Sequence, residues 1–151
     1  MIKICKEELS HPLVYLINLS LEKGEFPEEL KQGLIKPIFK KGEKQLCSNY
    51  RPITILSTLS KTFEKVMYTR LNSFLMKNNI LSSNQFGFQK NKSTNQALIQ
   101  LITCIVDSID TNQKSLAIFL DIIKAFDNVN HNILLENLEL IGIRVVALKW
   151  F

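Results

Sequence analysis

The apolar run Leu116–Leu120, followed directly by Asp121, is the feature that most restricts the fold of this chain. A short run without polar residues is typical of a strand covered on both faces, since a half-exposed strand would alternate apolar and polar side chains. We therefore predict a buried strand over Leu116–Leu120. Asp121 then has two interpretations: it caps the helix that follows, or its carboxylate binds a hard cation such as Mg²⁺.

The spacing of apolar residues predicts the other elements. Apolar side chains recur every three or four positions in four segments, which indicates amphipathic helices over residues 7–23, 59–77, 93–109 and 124–140. Two further strands are expected at Gly33–Phe39, with Pro37 marking an edge position, and at Arg51–Leu56. Ser93 and Gln96 match a capping box at the start of the third helix. The sequence thus predicts an α+β fold that is rich in helices and has a few short strands.

Positive charge is concentrated in one part of the chain. Residues 31–92 carry twelve of the 19 basic side chains and two of the 14 acidic ones, although the net charge of the whole chain is +5. A basic block attracts polyanions and makes their binding depend on salt. A solvated helix face is the alternative interpretation, and it accounts for Lys61 and Lys77. It accounts less well for Lys40 and Lys41, which lie in a polar loop.

The cysteines and histidines form no metal-binding pattern. Cys5, Cys47 and Cys104 are far apart, form no CxxC motif and are accompanied by His11 and His131 alone. Reduced thiols in an intracellular protein, in the cytoplasm or the nucleus, are therefore expected, and a zinc site is not. The amino terminus lacks the continuous apolar stretch of a secretory signal, and no run approaches the roughly 20 residues of a membrane span. The sequence predicts a protein that is not secreted and has no membrane partner.

Four motifs follow one another along the chain. They are Pro37-Ile-Phe-Lys-Lys41, Asn49-Tyr-Arg-Pro-Ile53, Gln85-Phe-Gly-Phe88 with Ser93-Thr94, and Phe119-Leu-Asp-Ile-Ile-Lys-Ala-Phe-Asp127. In this order they resemble the reverse transcriptases of non-LTR (LINE-like, jockey-type) retrotransposons, from about Phe26 to Phe151. Group II intron maturases are near relatives of that family, but Asn49–Ile53 favours the LINE side. The resemblance implies a right-hand polymerase that is truncated before its palm is complete. Residues 31–151 would be the partial reverse transcriptase domain, with the fingers and the first palm motif, and residues 1–30 a helical lead-in.

The resemblance assigns a metal site to the end of the buried strand. Asp121 matches the first catalytic aspartate, which in the family binds both Mg²⁺ ions of a two-metal mechanism, and the backbone carbonyl of Ile122 would assist it. Phosphoryl transfer suits such a site, because it requires neutralised charge and positioning more than a protein nucleophile. For Asp127 we expect a structural role near the start of the following helix.

The resemblance also implies a nucleotide-binding group. Arg51 matches the fingers arginine that grips the triphosphate, a task suited to a permanently charged, forked guanidinium. Lys40 or Lys41 matches the companion lysine, and the sequence does not decide between them; a solvated basic hairpin is the alternative. Phe126 lies where the family carries the aromatic side chain that excludes a ribose 2′-hydroxyl, and core packing is the alternative there.

A further segment is expected to follow the template backbone. The residues that the resemblance places there are Gln85, Gly87, Lys90 and Lys92. Glycine would permit close approach of a backbone, and the lysines would contact phosphates. Two positions depart from the family pattern: Gln89 stands where relatives usually have arginine, and Ile123 where they usually have a polar residue.

The paired-aspartate motif that completes the metal site in the family is not found in this sequence. One carboxylate cannot hold two Mg²⁺ ions against their mutual repulsion, so the 151 residues are expected not to polymerise alone, and whether they are an enzyme stays open. The expected function is that of a fragment of an RNA-directed DNA polymerase, which in full length would use an RNA template, a DNA primer and deoxynucleoside triphosphates. The alternatives are a non-catalytic RNA- or DNA-binding module and a remnant without function.

Overall fold

A computed structural model describes residues 5–151, which combine α-helices with one antiparallel two-stranded sheet. In chain order the elements are α1 (Lys6–Lys23), β1 (Gly33–Phe39), β2 (Tyr50–Leu56), α2 (Thr58–Lys77), α3 (Thr94–Asp110), α4 (His131–Leu140) and α5 (Val145–Lys149). The α+β class expected from the sequence is confirmed. The chain divides into two units: unit 1 comprises the residues up to Asn72 together with Asn130–Phe151, and unit 2 comprises Ser73–Val129.

Unit 1 has a core of aromatic rings where α1 meets α5. Phe63 of α2 is 4% exposed, and its ring packs edge-to-face on Phe26 with 6.1 Å between the centroids. Phe26 packs in the same way on Trp150 at 5.1 Å, and the Trp150 indole Nε1 donates a hydrogen bond to Ser20 Oγ at 3.0 Å. Each such ring pair contributes about 0.5–1.5 kcal/mol to stability beyond the contribution from burying its apolar area. These contacts join residues from both ends of the described chain into one core.

Gly24 ends α1, as the sequence predicts, and two features of the structure require a glycine there. Its φ is +67°, in the left-handed region where a Cβ is costly. A Cβ at this position would also lie 2.4 Å from the carbonyl oxygen of Val146, which is closer than any real contact. The missing side chain therefore lets α5 approach the end of α1.

The hairpin of β1 and β2 sets Pro37 directly opposite Pro52. Proline has no N–H to donate, so it is tolerated where no ladder bond is needed. The N–H of Lys40 donates to the carbonyl of Asn49 at 2.8 Å, one pair beyond the strands. Because hydrogen-bonded and non-hydrogen-bonded pairs alternate along an antiparallel ladder, the proline pair falls at a non-hydrogen-bonded site. Both predicted strands are confirmed, and Pro37 costs the sheet no hydrogen bond.

The helix ends follow local chemistry. Ser93 caps α3 through the expected capping box: its hydroxyl accepts a bond from the Gln96 N–H at 3.3 Å, and its own N–H donates to Gln96 Oε1 at 2.8 Å. After α2, Asn79 adopts φ +52°, a left-handed conformation that asparagine tolerates.

None of the helices between residues 5 and 151 combines the length and the apolar composition that crossing a bilayer requires.

The prediction of a buried strand at Leu116–Leu120 is wrong. Residues 113–122 have no regular secondary structure, and the described sheet contains β1 and β2 alone. The side chain of Leu120 is 90% exposed, and Phe119 and Ile118 are similarly open to solvent. A strand forms by hydrogen bonding to a neighbour, and an apolar pattern indicates a preference for burial without supplying that neighbour. In the structure this segment is therefore neither buried nor paired, and the apolar pattern predicts both incorrectly.

The last long helix also begins later than the sequence predicts. Residues 123–128 form turns, Lys124 has φ +49°, and α4 starts at His131. The side-chain oxygen of Asn130 accepts bonds from two N–H groups of the first turn, at 3.0 and 3.3 Å. Asn130 is thus the N-cap. The interpretation of Asp121 as a cap is wrong, and so is the role expected for Asp127 at the start of this helix.

Candidate functional site

The loop between β1 and β2 is tied down by side-chain hydrogen bonds. Asn49 Nδ2 donates to the carbonyl of Glu43 at 2.9 Å, and Tyr50 Oη donates to the carbonyl of Lys44 at 2.8 Å. Gly42 has φ +92°, and a Cβ there would lie 2.7 Å from Asn49 Nδ2. The hairpin therefore holds its own loop, and the basic residues on either side of the loop have fixed backbone positions.

Three basic side chains share one face of this hairpin, which we call the basic face: Lys36, Lys40 and Arg51. The register pairs Arg51 with Ile38, and directly opposite residues point to the same side of a sheet. Lys36 and Lys40 are each two positions from Ile38, so alternation puts them on that side too. Diagonal neighbours in a sheet are about 7–8 Å apart, within reach of long side chains. The predicted nucleotide residues Arg51 and Lys40 are thus brought together.

The charges of the basic face are available to a ligand. All three side chains are exposed. Among the described residues of unit 1, the ion pairs are Lys31 with Glu28 and Lys149 with Glu25, so no carboxylate neutralises the basic face. Lys41, the other predicted companion lysine, follows Lys40 in the bend after β1 and is also exposed. Three uncompensated positive charges on one rigid face can bind a group that carries several negative oxygens.

The predicted template segment lies in unit 2 as an irregular loop with internal contacts. Gln85 Nε2 donates to the carbonyl of Gly87 at 3.2 Å. The Lys92 ammonium donates to the carbonyl of Ser83 and lies over the ring of Phe86, 5.0 Å from its centroid. Lys92 therefore closes the loop, whereas Lys90 is exposed. A Cβ at Gly87 would meet no atom within 4 Å, which leaves its backbone open to an approaching group.

Asp121 and Phe126 also belong to unit 2. Asp121 and Ile122 are exposed and lie in the segment without regular structure. Phe126 lies in the turns of residues 123–128, and its ring packs edge-to-face on Phe88 with 6.1 Å between the centroids. The core-packing interpretation of Phe126 is wrong, because 79% of its surface is exposed. The predicted site residues thus fall into two groups, one in each unit.

The donors at Asp121 do not amount to a centre for two Mg²⁺ ions. Each Mg²⁺ takes about six oxygen ligands in a near-octahedral arrangement. Asp121 offers one carboxylate, and the Ile122 carbonyl offers one further oxygen. Within residues 5–151, no three His, Cys, Asp or Glu side chains are grouped so as to hold an ion. The residues present therefore do not fit the two-metal centre by themselves.

Two candidate residues were missed at the level of sequence. The sequence motifs place Lys36 only within the basic block of residues 31–92, although alternation along the predicted strand puts it on the same face as Lys40. Phe88 was quoted as part of a motif, yet its contact with Phe126 joins residues far apart in sequence. No local pattern gives such a pairing, whereas the position of Lys36 could have been found.

Comparison with known proteins identifies the family. The family described as reverse transcriptase (RNA-dependent DNA polymerase) matches residues 38–150. In Drosophila melanogaster, the probable RNA-directed DNA polymerase from transposon BS is 34% identical over 84% of this chain, and that from transposon X-element is 35% identical over 70% of it. The RNA-directed DNA polymerase from mobile element jockey of the same organism is 28% identical over 86% of the chain.

The matched relatives are much longer than this chain. The chain spans 14% of the transposon BS and jockey proteins and 12% of the X-element protein. No solved structure matches it at a significant level. The family match covers most of the chain and includes Lys40 and Arg51 of the basic face, Asp121 and Phe126, whereas Lys36 lies just before it. The chain therefore belongs to the reverse transcriptase family, and its relatives are the LINE-like enzymes of non-LTR retrotransposons.

Proposed function

We propose that this chain is the nucleotide- and template-binding part of an RNA-directed DNA polymerase. The full-length enzyme would copy an RNA template from a DNA primer, with deoxynucleoside triphosphates as substrates. Residues 31–151 would form the fingers and the first palm motif, and residues 1–30 a helical lead-in. The basic face is the observation that carries this proposal.

The basic face suits a triphosphate better than a single charge would. A guanidinium makes two parallel bonds to phosphate oxygens, and an ammonium contributes a compact charge with three donors. Arg51 and Lys40 stand on one side of a hairpin whose register is fixed by backbone hydrogen bonds. We therefore assign the companion role to Lys40, because its N–H bond to the Asn49 carbonyl continues the ladder of the hairpin by one residue, whereas Lys41 lies in the bend that follows. Lys36 adds a third charge to the same face.

The remaining roles follow the positions of the residues in unit 2. Phe126 would exclude a ribose 2′-hydroxyl, and its exposed ring leaves room for a nucleotide beside it. Gln85, Gly87 and Lys90 would contact the template backbone, where the open space at Gly87 supports a close approach. Lys92 is engaged with the Ser83 carbonyl, so we propose that it acts on the template mainly by holding the loop.

Asp121 is the side chain proposed here to bind Mg²⁺. Reverse transcriptases use this ion, and Asp121 with the Ile122 carbonyl would supply two of its oxygen ligands. The rest of the ligands of two ions would have to come from other carboxylates, phosphates and water. In this chain the function of Asp121 is therefore to provide one ligand, not a complete centre.

A non-catalytic RNA- or DNA-binding module is the second candidate. The exposure of the basic face and the single carboxylate at Asp121 are compatible with a protein that binds phosphate backbones without turnover. The two candidates differ in the ligand of Arg51. A polymerase segment would bind a free deoxynucleoside triphosphate through Arg51, whereas a backbone-binding module would need only the polynucleotide.

Titration with dATP, followed by amide chemical shifts, tests the proposal. Arg51→Ala should weaken binding about 10- to 100-fold, since charge-assisted hydrogen bonds contribute about 1.5–3 kcal/mol. Arg70→Ala, which removes the same group from an exposed position on α2, is the matched control and should leave the affinity unchanged. Equal affinities for dATP in both variants would contradict the assignment of Arg51 and favour the binding module.

A further inference from the structure

Phe126 is packed against a second exposed aromatic ring. Phe88 is 86% exposed, and the planes of the two rings meet at 87° with 6.1 Å between the centroids. In this edge-to-face arrangement the positive edge of one ring meets the negative face of the other. Since both rings remain mostly in contact with water, the pair gains little from burial. Its effect is to fix the relative orientation of the rings.

The backbone of Phe88 is strained. Its φ is +58°, in the left-handed region that residues with a bulky side chain avoid because the Cβ crowds the following carbonyl. The neighbouring glycine, Gly87, does not occupy this conformation, although glycine would adopt it without strain. Strain at a non-glycine residue is a reason to look for a function. Here the strained residue is the one whose ring meets Phe126.

The loop that carries Phe88 is held on both sides of that residue. Gln85 donates to the carbonyl of Gly87 at 3.2 Å, and Lys92 donates to the carbonyl of Ser83. The Lys92 bond connects the beginning and the end of the loop, and the Gln85 bond fixes the turn just before Phe88. Phe88 is therefore presented from an anchored segment, which gives its ring a defined position against Phe126.

We propose that Phe88 is a positioning residue that keeps the Phe126 ring in the orientation needed to exclude a 2′-hydroxyl. This inference rests on the proposed role of Phe126. An exposed phenylalanine in a turn can rotate between staggered rotamers, and a ring that swings aside no longer blocks the extra hydroxyl. The edge of Phe88 restricts that rotation. The ring pair, and not Phe126 alone, then sets the preference for deoxyribonucleotides.

The preference for dATP over ATP measures this role. Both dissociation constants are determined by amide shift titration for the wild type and for Phe126→Ala, Phe88→Leu and Phe88→Tyr. Leucine has a similar apolar size without a ring, whereas tyrosine keeps the ring. Phe88→Leu should lower the preference by about two- to tenfold, as expected for loss of an edge-to-face pair, and Phe88→Tyr should retain it. Phe119→Ala, at a position 81% exposed in the same unit, is the control and should also retain it.

The outcomes separate the positioning role of Phe88 from the proposed role of Phe126. If Phe126→Ala lowers the preference and Phe88→Leu does not, the positioning role is overturned while the role of Phe126 stands. If Phe88→Leu and Phe88→Tyr lower it equally, the ring edge is not the cause and the inference also fails. If the wild type binds dATP and ATP equally well, the proposed role of Phe126 itself is wrong. Ring-to-ring nuclear Overhauser effects between Phe88 and Phe126 in the free protein check the contact independently, and their absence would refute it.

Discussion

Removal of charge from the basic face should reduce the salt dependence of nucleic-acid binding by a predictable amount. The variants are Lys36→Gln, Lys40→Gln and Arg51→Gln, singly and together. Each phosphate that a cation neutralises contributes about 0.7–0.9 to the slope of log K against log salt. A single variant should therefore lower the slope by about 0.7–0.9, and the triple variant by about 2–3. Lys36 is included because the register places it beside Arg51.

The assay is fluorescence anisotropy of a labelled RNA–DNA primer–template at several salt concentrations. Over a fourfold increase in salt, the loss of one contact changes the ratio of affinities by about threefold, which is well within measurement. All three side chains are exposed, so their replacement removes charge without disturbing a core. Circular dichroism of each variant verifies that the helices are intact.

Lys61→Gln is the matched control for these variants. Lys61 is an exposed lysine on α2, and its replacement changes the net charge by the same unit as Lys36→Gln. If Lys61→Gln lowers the slope as much as Lys36→Gln does, binding depends on net charge alone and the reasoning from a shared face is refuted. A triple variant with the slope of the wild type would be equally decisive, because the polynucleotide would then bind elsewhere.

Two further predictions concern stability and activity. Phe63→Ala should lower the free energy of unfolding by about 3 kcal/mol or more, since Phe63 is buried against Phe26, and urea denaturation measures the change. Phe119→Ala, at an exposed ring, should change the free energy of unfolding by less than about 0.5 kcal/mol. Similar losses in both variants would contradict the core described for unit 1. Residues 1–151 alone should not extend a primer in the presence of Mg²⁺, because Asp121 supplies one carboxylate; extension that Asp121→Ala abolishes would disprove this.

The parts of the fold that depend on local chemistry could be predicted from the sequence. Gly24 ends α1, and Ser93 with Gln96 starts α3, because left-handed glycine and the capping box act within a few residues. The bounds of β1 were predicted to the residue, since a polar loop and Pro37 delimit it. The two strands of the hairpin are also close in sequence, so their pairing needs only the short polar loop between them. Lys40 and Arg51 lie on one face because of the register of this hairpin, and their nucleotide-binding role stays a prediction.

The parts that depend on distant partners could not be predicted. The start of α4 at His131 does not follow from the pattern, because Asn130 competes with earlier polar residues as a cap and apolar spacing does not rank them. The pairing of Phe88 with Phe126 connects two loops, and apolar periodicity does not predict contacts between loops. The run Leu116–Leu120 shows the same limit, because a strand requires a neighbour that the run does not contain.

The two groups of candidate residues therefore differ in what holds them. Arg51, Lys36 and Lys40 are positioned by backbone bonds within one hairpin, so their geometry is a property of this chain and phosphate binding can be tested on it directly. Asp121 follows an exposed apolar segment without a ladder, and a carboxylate acquires a fixed position only when the segment that carries it is paired or packed. Any metal chemistry at Asp121 would consequently depend on whatever covers Leu116–Leu120. For this reason the nucleotide binding proposed for Arg51 can be tested on this chain alone, whereas catalysis at Asp121 requires ligands from outside it.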